Sequence, residues 1–174
     1  TTFIKTIINE MPAKTGEIKW PEKANIGYFP QDHEHEFDKD INLVEWMMQW
    51  KPADEDEQII RATLGRMLFS GDNVLKSIKV LSGGEKVRLI LGKLILQQAN
   101  VLILDEPTNH LDMESIEALN MALEEYEGTI IIVSHDRQLI SSLATDIVEI
   151  KPKGESYHYN GTYDEYLASQ DNKK

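Results

Sequence analysis

Two acidic residues after an apolar run are the first candidates for chemistry in this sequence. Asp105 and Glu106 directly follow Val101–Leu104, a run that predicts a buried strand ending at a sheet edge. Phosphoryl transfer needs one carboxylate beside Mg²⁺ and a second that orients or deprotonates water. We therefore assign Asp105 to the metal and Glu106 to the general base, although the same pair could simply open a helix.

A serine and two glycines mark a second candidate. Ser82 and Gly83-Gly84 stand where a strongly apolar helix is predicted to begin, over Gly83–Gln97. The exposed amides and the dipole of a helix N-terminus attract phosphate. These residues predict a phosphate-facing helix start, and the alternative is a plain N-cap with flexible glycines.

The third candidate, His135, follows a second apolar strand, Ile130–Val133. Ligands of parallel sheets lie beyond the carboxyl ends of the strands, so His135 is expected at the same edge as Asp105. There it could hydrogen-bond a γ-phosphate or the attacking water. Ser134, His135 and Asp136 do not predict a hydrolase triad, because side chains of adjacent residues normally diverge.

Alternating strands and helices must position these residues. Strands that are apolar on both faces and separated by a helix predict a parallel sheet covered on both sides, hence an α/β fold. The patterns predict six helical stretches, at Thr1–Ile8, Leu43–Phe69 with an acidic break, Gly83–Gln97, Met113–Glu124, Arg137–Leu143 and Thr162–Ala168. They also predict six strands, at Glu17–Trp20, Asn25–Phe29, Val101–Leu104, Thr129–Val133, Asp146–Ile150 and Ser156–Tyr159.

Composition limits the class of protein and its partners. The 174 residues, 41% apolar and 28% charged, suit one globular domain. A net charge of −12 predicts that this segment alone binds nucleic acid poorly. The lack of cysteine suits a reducing compartment, and no apolar run is long enough to cross a membrane.

Taken in order, these motifs resemble an ATP-binding-cassette (ABC) domain. Leu81–Glu85, the acid pair and Ser134–Asp136 have the order and spacing of that family, and Glu106–Asp112 has the form typical of its ABC-F group, soluble tandem-domain ATPases that act on ribosomes. Four further stretches resemble the bacterial YbiT-type members, most closely their second cassette: Gly27–Asp32, Glu45–Met47, Gly65–Ser70 and Gly161–Leu167.

The resemblance implies a fold and a division of the chain. We expect an α/β P-loop NTPase core of the ABC type, a mostly parallel sheet flanked by helices. Residues 1–174 would form a single partial cassette domain, with a helical subdomain at about 41–82.

The resemblance also implies roles for individual residues. Gln31 would reach Mg²⁺ and the catalytic water and report nucleotide occupancy to the helical subdomain, and His135 would act as the γ-phosphate switch. The helix start at Ser82 would face ATP held by an opposing cassette, so that each active site would be formed by residues of both cassettes. The implied ATP-binding residues are Thr1, Thr2, Gln31, Ser82, Gly83, Gly84, Glu85, Asp112 and His135.

One expected motif is missing. The phosphate-binding loop G-x-x-x-x-G-K-[S/T] occurs nowhere in the sequence. Thr1 and Thr2 resemble the residues that follow the lysine of that loop, which would place the Thr1 hydroxyl on Mg²⁺ and Thr2 near the α-phosphate. We therefore expect a chain cut just after this lysine, without the strand before the loop, and poor ATP binding by the fragment.

Three functions remain open at this stage. The first is the ATPase cassette of a cytoplasmic ABC-F protein that pairs with a second cassette and acts on the ribosome through its large subunit and transfer RNA, with no membrane partner. The second is the nucleotide-binding subunit of a membrane transporter, which Asn109-His110 disfavours. The third is a non-catalytic interaction module, supported only by the missing loop.

Overall fold

The computed structural model describes residues 1–109, 111–151 and 154–171, and divides the chain into two compact units, Thr1–Val133 and Ser134–Lys174. The first unit contains helices α1 (Thr2–Ile7), α2 (Leu43–Met48), α3 (Gln58–Arg66), α4 (Gly83–Leu96) and α5 (Met113–Glu124), and strands β1 (Ile26–Phe29), β2 (Val101–Asp105) and β3 (Thr129–Val133). The second contains α6 (Arg137–Leu143), β4 (Asp146–Ile150), β5 (Ser156–Asn160) and α7 (Tyr163–Asp171).

A three-stranded parallel sheet in the order β1-β2-β3 forms the centre of the first unit. Phe29 pairs with Leu104 and Asp105 with Val133, so all three strands end at the same edge. Every residue of the central strand β2 is buried. The predicted α/β fold with a parallel sheet flanked by helices is therefore confirmed.

Helices cover both faces of this sheet. Side chains alternate between the faces of a strand, and Val101 and Ile103 pack against Ile4 of α1 on one face. On the other face α4 comes so close to β1 that a Cβ atom on Gly27 would lie 3.3 Å from a methyl of Leu94. Glycine at this position permits the contact between helix and sheet.

Two sequence-based expectations about strands are wrong. Residues 17–20 form no strand, and the Trp20 indole instead donates a hydrogen bond to the Ile7 carbonyl at 2.9 Å, which ties this segment to the end of α1. β3 is apolar, but its side chains are only half-buried, because it pairs with β2 along one edge and has no partner on the other among the described strands.

The segment between β1 and α4 is helical, with α2, α3 and three short 3-10 turns at Glu34–Phe37, Gly71–Leu75 and Ile78–Val80. Its two ends meet, because Ile78 donates a backbone hydrogen bond to Ile41 at 2.9 Å and the Ser77 hydroxyl donates to Asp40 at 2.6 Å. The limits of a helical subdomain at about 41–82 stay a prediction.

In the second unit, β4 and β5 form an antiparallel pair in which Asp146 lies opposite Asn160. The Asp146 carboxylate accepts hydrogen bonds from Asn160 and Thr145 and contacts Nε2 of His158 at 3.1 Å. Helix α7 contributes the buried Tyr166, whose ring packs on Tyr159.

Candidate functional site

Asp105 is the last residue of β2 and the most unusual side chain of the first unit. It is fully buried, and neither carboxylate oxygen has a hydrogen-bond partner among the described residues. A buried carboxylate is costly unless it is paired, so such a group needs an explanation. A bound cation would supply one.

The residues predicted to hold Mg²⁺ come together around this carboxylate. The amino nitrogen of Thr1 lies 3.6 Å from Oδ1 of Asp105, and the Thr1 hydroxyl donates to Oε1 of Gln31 at 3.4 Å. All three line one cavity of about 430 Å³. They meet because β1 and β2 are parallel and end together, beside the start of α1.

These three residues offer Mg²⁺ a hydroxyl, an amide oxygen and a carboxylate. All three are oxygen donors, the type that Mg²⁺ prefers, and Mg²⁺ usually keeps water and phosphate oxygens as further ligands. The described part of the chain holds no group of three or more His, Cys, Asp or Glu residues suited to a metal. The donor set therefore fits Mg²⁺ together with a nucleotide phosphate, as opposed to a metal held by protein alone.

Sequence reasoning missed several residues of this cavity. Its lining also includes Lys5, Glu10, Tyr28, Pro30, Asp32, His35 and Glu36. Lys5 follows Thr1 by one helical turn, a spacing that could have identified it. Burial raises the pKa of Tyr28, and the negative charges of Asp105 and Glu10 raise it further, so this phenol stays protonated.

Two lysines of α4 fix the segment that follows Gln31. Lys86 pairs with Glu34, and Lys93 pairs with Glu36 at 2.5 Å in a largely buried site. The Lys93 ammonium also lies 4.3 Å from the centre of the Trp50 ring, a cation–π contact. The cavity wall around Gln31 is thereby attached to the helix that begins at Ser82.

Glu106, the predicted general base, follows β2 in a left-handed backbone conformation with φ of 51°. Its amide donates to the Val133 carbonyl at 2.8 Å, which holds the turn against the end of β3. Such a conformation is rare for a residue with a side chain and is found often at active sites. Glu106 is buried and is not among the described residues that line the Asp105 cavity.

The helix start at Ser82 is a capping box. The Ser82 hydroxyl accepts from the Glu85 amide at 3.3 Å, and the Glu85 carboxylate accepts from the Ser82 amide at 2.9 Å. This assigns Glu85 a structural contact that the Ser-x-x-Glu spacing could have predicted. Ser82 and Gly83 are exposed, and in the described structure neither lines the Asp105 cavity.

Gly84 and Asp112 belong to a second cluster, at the start of α5. A Cβ atom on Gly84 would lie 1.7 Å from the Ser115 hydroxyl, so only glycine lets the two helix starts approach. Asp112 caps α5 by accepting from the Ser115 amide at 2.8 Å. Hydrogen bonds from the side chain and backbone of Ser115 lower the pKa of Asp112, with a smaller contribution from Arg88.

Thr2 lies outside both clusters, and His135 belongs to the second unit. Thr2 begins α1, and its carbonyl accepts from the Thr6 hydroxyl. His135 is exposed near the start of the second unit, beside the helix cap in which Asp136 accepts from the amides of Gln138 and Leu139. His110, within the Glu106–Asp112 motif, lies outside the described residues.

The family profile described as ABC transporter matches residues 1–109. The chain is 55% identical to the ATP-binding protein YbiT of Escherichia coli O157:H7 over 98% of its length, and 48% identical to the ABC transporter ATP-binding protein YkpA of Bacillus subtilis strain 168 over its full length. It spans about a third, 32%, of each of these curated relatives.

Solved structures show the same fold. The structure titled RNase-L Inhibitor matches with a TM-score of 0.71 at 24% identity, over 97% of this chain and 34% of that one. An ATP-binding cassette solved as a post-hydrolysis dimer with ADP and Pi matches with a TM-score of 0.61 at 17% identity, over 79% and 63%. The predicted likeness to ABC-F proteins of the YbiT type is confirmed by the relatives, and the ABC core by these structures.

None of the helices in the described part of the chain is both long and apolar enough to span a membrane.

Proposed function

Because this chain belongs to the ABC transporter family, we propose that it is the ATP-binding and ATP-hydrolysing cassette of an ABC-F-type protein that acts on the ribosome. The proposed ATP hydrolysis rests on the surroundings of Asp105. This carboxylate is fully buried, has no hydrogen-bond partner among the described residues, and shares a cavity with Thr1 and Gln31. Its cofactors would be ATP and Mg²⁺.

The residues of the cavity divide the work of phosphoryl transfer. Asp105, Thr1 and Gln31 would hold Mg²⁺, which when bound neutralises charge on the transferred phosphate. Lys5 faces the same cavity and adds a positive charge for phosphate oxygens. Glu106 would orient and deprotonate water, and His135 would hydrogen-bond the γ-phosphate.

The remaining nucleotide contacts would come from an opposing cassette. Ser82 and Gly83 are exposed at the start of α4, where the helix dipole favours an anion. Glu85 orients that start through the capping box, Gly84 lets it lie close to α5, and Asp112 caps α5. A second cassette of the same natural protein is the proposed partner.

The ribosomal part of the proposal has different support. It depends on the Glu106–Asp112 motif, which has the ABC-F form, and on the identity to YbiT. A net charge of −12 argues that this segment supplies energy more than RNA contacts. The proposed location is therefore the cytoplasm, with contacts to the large subunit and transfer RNA made mainly by other parts of the natural protein.

The test uses the natural full-length protein with Glu106→Gln. Loss of the base should slow ATP hydrolysis by roughly 100-fold or more while ATP binding persists. The variant should then cosediment with large ribosomal subunits in the presence of ATP, since the closed form is trapped. Single-turnover phosphate release, ATP titration and sedimentation through sucrose measure the three quantities.

Glu22→Gln, an exposed change elsewhere, is the matched control and should behave as wild type. Normal turnover in Glu106→Gln would show that Glu106 is not the base. Tight ATP binding without ribosome association, or recovery with a membrane permease, would contradict the ribosomal role.

A further inference from the structure

A second and larger groove lies on the first unit, with a volume of about 1100 Å³. It runs between α5, α4 and the C-terminal end of α3, and none of the described residues lines both this groove and the Asp105 cavity. Neither the nucleotide site nor the helix starts at Ser82 and Asp112 account for it.

The floor of the groove is apolar and faces solvent. One face of α5 contributes Ala118, Met121 and Ala122, and Leu68 projects from the end of α3. Met121 is 59% exposed and Leu68 69% exposed, among the most exposed large apolar side chains of the described structure. Exposed apolar side chains gathered in a groove mark an interaction surface.

The backbone of Leu68 has a strained conformation. It follows the last turn of α3 with φ of 63°, the left-handed conformation that usually belongs to glycine at this position. A bulky residue with positive φ is an outlier. Its folding contribution is small, because most of its side chain is exposed, so the strain points to a use outside the fold.

The charges around the floor are arranged on two sides. Among the described residues that line the groove, four carry carboxylates, Glu114, Glu117, Glu125 and Glu127, and two carry guanidinium groups, Arg66 and Arg88. The Nε atom of Arg88 is buried and has no hydrogen-bond partner among the described residues. Carboxylates exceed cations, so the groove complements a ligand that is basic overall.

The shape favours a helix. Glu114, Glu117 and Met121 lie along one face of α5, and Glu125 follows as its C-cap, so that this row of residues spans about 16 Å, three helical turns. Ala118 and Ala122 are small and let a second backbone approach closely. An amphipathic helix buries its apolar face in such grooves through anchors at positions i, i+3, i+4 and i+7.

We infer that this groove binds an amphipathic helix of a partner protein, with large aliphatic residues on Leu68 and Met121 and lysine or arginine residues facing the glutamates. The inference goes beyond the proposed function and does not depend on it. An RNA backbone is disfavoured, because four carboxylates would repel phosphate.

The probe is a fluorescent 14-residue leucine–lysine peptide with helical amphipathic spacing, measured by anisotropy against the protein. Saturable micromolar binding is expected, at least tenfold tighter than for a leucine–glutamate peptide of the same pattern or for a scrambled leucine–lysine peptide. Glu117→Lys combined with Glu125→Lys should weaken binding at least tenfold. Glu22→Lys, an exposed acid outside the groove, should leave it within twofold.

Leu68→Gly separates docking from folding. Glycine accepts the φ of 63°, so the melting temperature should hold or rise while peptide binding falls at least fivefold. Equal binding by Leu68→Gly and wild type would overturn the inference, as would equal binding of the scrambled peptide or equal weakening by Glu22→Lys. Binding of a duplex RNA oligonucleotide that depends on Arg66 and Arg88 would also overturn it.

Discussion

At the scale of single residues, Asp105 is a buried acid whose carboxylate oxygens accept no hydrogen bond among the described residues, with only the Thr1 amino nitrogen nearby, 3.6 Å from Oδ1. It stands at the end of a fully buried strand, where the chain could have placed an apolar residue at lower cost. Asp112 and Asp136, two other acids of the predicted motifs, accept amide hydrogen bonds as helix caps. This difference supports the proposal that the Asp105 carboxylate binds a cation.

Asp105→Asn tests this interpretation without nucleotide. Replacing a buried carboxylate that accepts no hydrogen bond with a neutral amide should raise the free energy of unfolding by about 1 kcal/mol or more in EDTA, because the cost of burying the charge outweighs its contact with the half-exposed Thr1 ammonium at 3.6 Å. Stabilisation by Mg²⁺ should disappear in the same variant, because a neutral amide is a weaker ligand. Thermal unfolding in EDTA and in millimolar Mg²⁺ measures both effects, and an unchanged Mg²⁺ response would contradict the metal assignment.

At the scale of elements, the starts of α4 and α5 depend on one glycine. A Cβ atom on Gly84 would lie 1.7 Å from the Ser115 hydroxyl and 2.5 Å from its Cβ. The two helices would have to separate to admit it. The short distance between these helix starts therefore depends on the lack of a side chain at Gly84. The position of the Ser82 cap depends on the same contact.

Gly84→Ala should lower the free energy of unfolding by about 1–3 kcal/mol, the usual cost of overpacking. Adding Ser115→Gly removes the side chain that the new methyl meets, so the double variant should lose less than the sum of the two single variants. Urea unfolding of all four proteins gives this coupling energy. Strict additivity would show that the contact does not set the spacing.

The strand pair β4–β5 should depend on pH through Asp146. Hydrogen bonds from Asn160 and then His158 lower the pKa of this carboxyl below 3.8, its value in an unfolded chain. The ionised form is favoured in the folded strand pair, so the stabilisation is present above about pH 3.8 and is lost as the pH falls through the folded pKa.

Amide hydrogen exchange of Ile147 and Tyr159, which lie opposite each other in the strand pair, measures this effect by comparing wild type with Asp146→Asn at the same pH. Wild type should be better protected at pH 6, and the difference should vanish well below pH 3.8. A difference that persists unchanged at pH 2.5 would show that the ionised carboxylate is not the cause.

At the scale of the whole molecule, the predicted site falls into separate parts. Thr1, Gln31 and Asp105 share a cavity, whereas Ser82 and Gly83 are exposed and contribute nothing to its described lining. The role of this helix start toward a nucleotide on an opposing cassette stays a prediction. The chain also spans only 32% of its relatives, which leaves room for a second cassette in them.

Ser82→Arg in the natural full-length protein tests whether the start of α4 contributes to the nucleotide site of an opposing cassette. A long cation at an exposed helix start should block closure, so ATP hydrolysis should fall roughly tenfold or more while binding to the local cavity persists. Ser70→Arg, an exposed change on the connector after α3, provides the control. Unaffected hydrolysis in Ser82→Arg would exclude a contact across the two cassettes.

Much of the secondary structure could be predicted from local patterns. The predicted limits of β3, α5 and α6 agree with the structure residue for residue, since apolar spacing and the caps Asp112 and Asp136 mark them. The strand expected at residues 17–20 failed because a strand needs a partner. A four-residue pattern does not reveal that Trp20 instead anchors the segment to α1.

Motif order and residue type are local properties of the chain, so they were enough to identify the family and the residues able to do chemistry. Which of these residues meet depends on how distant segments pack. The parallel register of β1 and β2 brings Gln31 to Asp105, and the packing of α1 adds Thr1 and Lys5 to the same cavity. The groove along α5 and the exposed Leu68 also arise from packing between distant segments, and spacing along one chain does not encode such surfaces.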